Sequence, residues 1–70
     1  MTPEQITELF TYHRPVGDQP ERYEKINAKA QELALLVNEL CPESAEKTKA
    51  IRKIQSARMW ANASIAIHGG

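Results

Sequence analysis

The sequence predicts an all-α protein, an antiparallel hairpin of two long helices preceded by a short N-terminal helix. Apolar residues repeat every seven positions through the middle of the chain, Pro42 interrupts that pattern, and a second apolar stripe follows it. A connection as short as the one at Pro42 makes consecutive helices antiparallel neighbours. We therefore expect a single helical-hairpin domain over residues 1–70.

The first predicted element is a short helix over residues 3–10. Thr2 can cap it, Pro3 suits the first helical position, and Gln5 can complete a capping box. A helix of this length is not stable alone, so we expect it to dock as an arm on another element.

A binding loop is predicted over residues 11–19, because Pro15 and the glycine that follows it disfavour helix. The loop places Tyr12, His13 and Arg14 side by side. A ring that can stack, a titratable imidazole and a guanidinium in one segment are typical of a binding loop. The alternative is that Tyr12 covers the end of the helical core while the other two are solvated.

The second helix is predicted over residues 20–41, with Asp18 as its cap. Its apolar stripe consists of two sets with seven-residue spacing, Tyr23, Ala30 and Val37, and Ile26, Leu33 and Leu40. Further apolar residues widen the stripe towards the C-terminal end, at Ala34, Leu35 and Leu36. Apolar surface on more than one side of a helix requires a second partner.

A 70-residue chain buries only a small core, so we expect it to be stabilised by oligomerisation. The one cysteine, Cys41, cannot form an intramolecular disulfide, and no Cys/His spacing indicates a metal site. We therefore predict a homo-oligomer that holds no metal and no cofactor.

The third helix is predicted over residues 44–67, with an inner stripe of small and apolar residues, Ile51, Ile54, Ala57, Ala61 and Ile65. Arg58 lies on or beside this stripe, where an arginine extends to solvent, pairs with an acid, or faces a cavity that holds an anion. Asn62 is one turn from Arg58, so both can present polar groups from one side. Trp60 is offset from the stripe and would face the arm, a second subunit or a ligand base.

Charge is balanced overall but unevenly distributed. Nine basic and nine acidic residues cancel, which argues against binding to polymeric DNA or RNA. Every acid precedes Lys47, so the last helix is basic. This asymmetry indicates either charge pairing between helices or an anion site on the last helix. No segment has the length and apolarity of a membrane span or the pattern of a signal peptide, so a soluble intracellular protein is expected.

The chain contains no recognisable catalytic constellation, so we expect no enzyme activity and no catalytic residues. Its two histidines lie at opposite ends of the sequence, and its three glycines do not form a phosphate-binding loop. Binding of a nucleotide requires flat side chains for bases and donors for phosphates. Separate subunits could bring such groups together from Tyr12, Arg14, Lys25, Arg52, Arg58 and Trp60.

Three segments resemble the helical-hairpin domain of phage anti-defence sponges: FTYHRPVGDQPERYEKI, ELALLVNELCPES and MWANASIA. These proteins sequester the cyclic nucleotide signals of bacterial immunity, the anti-CBASS branch trapping cyclic dinucleotides and trinucleotides and the anti-Thoeris branch trapping cyclic ADP-ribose isomers. The resemblance covers about residues 10–67. It implies a hexamer of hairpins with ligands held between subunits, no cleavage of the ligand, and action in the host bacterial cytoplasm.

The resemblance also implies roles for particular residues. Tyr12 corresponds to a tyrosine that stacks on the base, and Lys25 or Lys29 to a lysine that meets the phosphate. Other basic groups differ from the pattern of relatives, which often have Arg in place of Asn27, Ala45 and Ile67, Thr or Asn in place of Arg52 and Lys53, and an apolar residue in place of Arg58. We therefore expect a ligand site made of Tyr12, His13, Arg14, Lys25, Arg58, Trp60 and Asn62. The competing hypothesis is a structural or protein-interaction hairpin without a small-molecule ligand.

Overall fold

The computed structural model describes residues 1–11 and 14–69, and this part of the chain contains three helices and no strand. The helices are α1, Pro3–Phe10, α2, Gln19–Leu40, and α3, Ala45–His68. The predicted all-helical class is confirmed. Against the predicted bounds, α2 begins and ends one residue earlier, and α3 begins and ends one residue later.

α1 begins with the predicted capping box. The Thr2 hydroxyl accepts from the backbone N–H of Gln5 at 3.1 Å, and the Gln5 side-chain oxygen accepts from the N–H of Thr2 at 2.8 Å. Leu9 of α1 lines a cleft with Ile67 and His68 of α3. The arm therefore lies beside the C-terminal end of α3, although none of its residues is buried.

The start of α2 differs from the prediction in one respect, because Asp18 makes no side-chain cap. Its backbone has φ −90° and ψ 8°, whereas a capping side chain reaches over the first turn from an extended conformation. The Asp18 carboxylate instead lies 3.2 Å from the Arg22 guanidinium. Gly17, at φ 55°, provides the left-handed turn that leads into the helix.

The corner between the long helices follows from two local features. The backbone N–H of Cys41 donates to the carbonyl of Val37, and Pro42 then stops α2. Ser44 caps α3, since its hydroxyl accepts from the N–H of Lys47 at 3.1 Å. The connection is short enough to return α3 along α2.

The open end of the hairpin is fastened by two polar side chains at the start of α2. Gln19, only 2% exposed, accepts from the N–H of Val16 and donates through Nε2 to the carbonyl of Ile65, both at 3.1 Å. Arg22 donates to the carbonyl of Gly69 at 2.8 Å. Because the start of α2 meets the end of α3, the two helices are antiparallel.

Two packed helices form one layer, whereas compact domains bury a core between two or three layers. The chain is accordingly flat, 45 × 28 × 13 Å. It exposes 5733 Å², while a compact monomer of 7.9 kDa exposes about 4,400 Å² by the size scaling of folded proteins. No apolar side chain in the described part of the chain is buried.

The apolar stripes of the long helices meet at the seam between them, where most of their residues are half-buried: Tyr23, Ile26, Ala30, Val37, Ile51, Ile54, Ala61 and Ile65. Two residues of the predicted α2 stripe, Leu33 and Leu40, are exposed instead. Large apolar side chains outside the stripes are exposed as well, including Leu35, Leu36, Met59 and Trp60. Within residues 1–11 and 14–69, no helix is long and apolar enough to cross a membrane.

Replacing Gln19 with alanine is expected to lower the free energy of unfolding by about 1–3 kcal/mol, because a buried side chain and its hydrogen bonds to Val16 and Ile65 are lost. Gln31→Ala removes the same side chain from an exposed position of α2 and is expected to change the free energy of unfolding by less than about 0.5 kcal/mol. Thermal unfolding at a fixed chain concentration gives the midpoint of each variant. Equal midpoints would show that the hydrogen bonds of Gln19 do not stabilise the hairpin.

Candidate functional site

A cluster of three polar side chains crosses the seam near the middle of the hairpin. Arg58 and Asn62, one turn apart on α3, both reach Asn27 of α2. The Arg58 Nη1 and the Asn62 Nδ2 each lie 3.4 Å from the Asn27 Oδ1. We refer to Asn27, Arg58 and Asn62 as the seam cluster.

The orientation of both amides in the seam cluster follows from the guanidinium. Arginine can only donate hydrogen bonds, so Asn27 presents its oxygen to Arg58 and leaves its own Nδ2 facing away. Asn62 must then donate to that same oxygen. Its Oδ1 is buried and has no donor among the described residues, a situation that costs about 1–3 kcal/mol. The cluster is therefore incomplete in the isolated chain.

Arg58 has no ion pair in the described part of the chain. The ion pairs there join residues three or four positions apart: Asp18 with Arg22, Glu21 with Lys25, Glu32 with Lys29 and Glu43 with Lys47. Charge pairing between α2 and α3 within the chain, one of the two interpretations of the charge asymmetry, is thus not observed among these residues. The half-buried Arg58 is left with an amide oxygen as its partner.

Two grooves run along opposite faces of the seam. The lysine-rimmed groove, about 500 Å³, is mostly apolar with two lysines at its edge, and is lined by Lys25, Ile26, Lys29, Leu33, Ile54 and Ala57, among others. The amide-lined groove, about 400 Å³, carries polar side chains at Asn27, Gln31, Gln55 and Arg58. Arg58 borders both, because its long side chain lies at the seam.

The predicted site residues are divided between these faces. Lys25 borders the lysine-rimmed groove, and its ammonium lies 3.3 Å from Glu21 in an exposed pair that adds little stability. Arg58 and Asn62 meet at Asn27, which is two residues from Lys25 and so on the opposite side of α2. Lys25 and Asn62 therefore do not converge within one chain.

Trp60 is separated from the other predicted α3 residues. Two positions along a helix are 200° apart, so Trp60 lies across α3 from both Arg58 and Asn62. Its side chain is 73% exposed. Arg58 and Asn62 therefore lie at the seam, and the tryptophan faces outward.

The binding loop is only partly described. Arg14 is exposed, beyond the end of α1 and before the turn at Gly17. The predictions for Tyr12 and His13 lie outside the described residues.

Asn27 was not among the residues predicted for the site, although the sequence contained a signal for it. Folding the chain back at Pro42 places Ile26 and Ala30 opposite Ala57, Arg58 and Ala61. Asn27 follows Ile26 directly and must then lie near Arg58. Its amide was overlooked because it lies just outside the apolar stripe by which the helices were aligned.

The fold and the seam cluster together define a small helical-hairpin protein with a half-buried arginine that has no acidic partner among residues 1–11 and 14–69. A family model described as "Acb2/Tad1, hairpin domain" matches residues 2–66. The chain belongs to this family of anti-CBASS and anti-Thoeris sponges. The members of the family are sponge proteins and not enzymes. Searches of curated proteins and of solved structures returned no match.

Replacing Arg58 with methionine is expected to change the free energy of unfolding by less than about 1 kcal/mol, since no ion pair is lost and an apolar stem remains at the seam. Ile54→Ala truncates a half-buried side chain at the same seam and is expected to lower the free energy of unfolding by more than Arg58→Met does. Urea denaturation at fixed chain concentration measures both. A loss of more than about 2 kcal/mol for Arg58→Met would assign the arginine a structural role.

Proposed function

We propose that the chain binds cyclic oligonucleotide or cyclic ADP-ribose immune signals and sequesters them without cleavage, in the cytoplasm of the host bacterium. The family match carries this proposal, because it covers residues 2–66 of a 70-residue chain and the family name denotes sponges. A sponge lowers the free concentration of a signal in proportion to its own sites. It therefore needs affinity and abundance, and no catalytic group.

The anionic part of the ligand is assigned to cationic side chains. Arg58 is the first candidate, because its guanidinium has no acidic partner in the described part of the chain and can form paired hydrogen bonds with a phosphate. Lys25 supplies a second charge, since an exposed pair with Glu21 exchanges easily for a phosphate. Arg14, in the exposed loop, supplies a third.

The remaining ligand contacts are assigned by chemistry. Tyr12 stacks on a base, Trp60 forms a second stacking wall, and His13 lines the same pocket. Asn62 forms hydrogen bonds with a base or ribose once it is released from Asn27.

These contacts require more than one copy of the chain. Trp60 lies across α3 from Arg58, and Lys25 lies on the other face of α2 from the seam cluster, so a single hairpin cannot enclose a ligand with all of them. The exposed apolar residues, such as Leu35 at 60% exposure, support assembly as well. We propose a homo-oligomer, a hexamer as the resemblance implies, with its ligand sites between subunits.

The proposal is tested by calorimetry of the purified chain with cyclic GMP–AMP, cyclic tri-AMP and cyclic ADP-ribose. We expect tight binding of at least one, and recovery of the intact ligand after heating. Failure to bind any of them, or recovery of a cleaved product, would contradict sequestration. Failure to bind by a chain that is oligomeric would favour a structural or protein-interaction hairpin.

Tyr12→Ala is expected to weaken binding about 10- to 100-fold, because base stacking on an aromatic side chain contributes about 1–3 kcal/mol. Thr11→Ala, in the adjacent position, is the matched control and is expected to bind as the wild type does. Sedimentation velocity must show the same oligomer for both. If Tyr12→Ala lost its oligomer or unfolded while Thr11→Ala did not, the tyrosine would have a structural role.

A further inference from the structure

We propose that Asn27 is a positioning residue of the ligand site, which turns the Arg58 guanidinium towards the amide-lined groove and makes that groove the anion-binding face of the hairpin. This inference rests on the proposed function and assigns the phosphate to one of the two grooves. It adds a residue that the sequence did not identify.

The position of Arg58 allows two orientations of its side chain. The arginine borders both grooves, so its guanidinium could extend to either side of the seam. The contact between the Arg58 Nη1 and the Asn27 Oδ1 selects one side, because Asn27 lines the amide-lined groove. The 3.4 Å distance makes this a long hydrogen bond, which biases the orientation and leaves the guanidinium able to meet a ligand.

Asn27 is suited to this role because one oxygen holds both neighbouring side chains. Its Oδ1 accepts from the Arg58 guanidinium and from the Asn62 amide, so the guanidinium is kept on the side of the seam where Asn27 lies. A guanidinium held there can form paired hydrogen bonds with the oxygens of one phosphate group. Gln31 and Gln55 line the same groove with further amides that can form hydrogen bonds with a base edge.

The lysine-rimmed groove is less suited to hold the phosphate within one hairpin. Its lining is mostly apolar, and its two lysines are exposed at its edge, where Lys25 can reach a phosphate that is bound by another copy of the chain. The apolar lining fits packing by a second copy or by the flat face of a base. The charged end of the ligand is therefore assigned to the opposite face.

The test compares Asn27→Ala with Asn38→Ala, the same change at an exposed asparagine of α2. Two quantities are measured: the mobility of the Arg58 guanidinium in the free protein, from ¹⁵N relaxation of its Nε, and the affinity for cyclic GMP–AMP, cyclic tri-AMP and cyclic ADP-ribose. Asn27→Ala is expected to raise the mobility and to weaken binding about fivefold, the equivalent of one modest hydrogen bond. Asn38→Ala is expected to leave both unchanged.

Two further variants distinguish positioning from a structural role. Asn27→Asp keeps an oxygen for Arg58 but places a negative charge beside the guanidinium, so we expect a guanidinium that stays ordered and binding of the anionic ligand that is weakened nonetheless. In an Arg58→Met background, Asn27→Ala is expected to cause no further loss of affinity, because Asn27 acts through the arginine.

The outcomes separate this inference from the proposed function. If the wild type binds a probe and Asn27→Ala matches Asn38→Ala in both mobility and affinity, the role of Asn27 is refuted while sequestration stands. Full additivity of Asn27→Ala and Arg58→Met would also refute it. If the wild type binds none of the three probes, the proposed function fails, and the ligand role of Asn27 fails with it.

Discussion

The described part of a single chain buries no apolar side chain, and this is the constraint on which the rest of the structure depends. Two helices can bury side chains only along the line where they meet, and here most residues on that line are no more than half-buried while Leu35, Leu36, Leu40 and Trp60 are exposed. Hydrophobic burial contributes about 25 cal/mol for each Å² removed from water. The hairpin therefore gains little from its own seam, and local bonds must fix its geometry until other copies cover the exposed surface.

The polar contacts of the hairpin follow from this constraint. Capping by Thr2 and Ser44 fixes helix starts, and Gln19 and Arg22 fasten the open end to the last turn of α3. Together they set the register that brings Asn27 opposite Arg58. A compact domain would place apolar groups at such a position. A thin hairpin can keep a guanidinium there because solvent reaches both faces of the seam, so the charge is not fully desolvated.

The periodic features of the fold could be predicted from the sequence. The seven-residue spacing identified the long helices, Pro42 identified the corner, and Thr2 with Gln5 identified the capping box, because each depends on residues near one another in the chain. The sequence predicted a side-chain cap at Asp18 that the structure does not form, since the tight turn at Gly17 changes the backbone conformation of Asp18. A capping preference is a local tendency, which the ion pair with Arg22 replaces here.

The candidate site was less predictable than the fold. Residue types that bind nucleotides were recognisable in Lys25, Arg58 and Trp60. The helix face on which each side chain lies, however, depends on the register of the two helices and on the 100° turn per residue. An error of one or two positions moves a side chain to the other face. Asn27 was missed for the same reason. Helix periodicity does not identify which surfaces pair between copies, because several surfaces of α2 and α3 are apolar enough to do so.

The central claim is that copies of this hairpin assemble and hold intact cyclic nucleotides between them. Native mass spectrometry of the purified chain, with and without cyclic GMP–AMP, cyclic tri-AMP or cyclic ADP-ribose, tests both parts in one spectrum. The account predicts an oligomer whose mass increases by whole numbers of uncleaved ligand, and a Leu35→Lys variant that loses both the oligomer and the ligand. A monomer that binds the nucleotide, or an oligomer that binds none of the three, would contradict it.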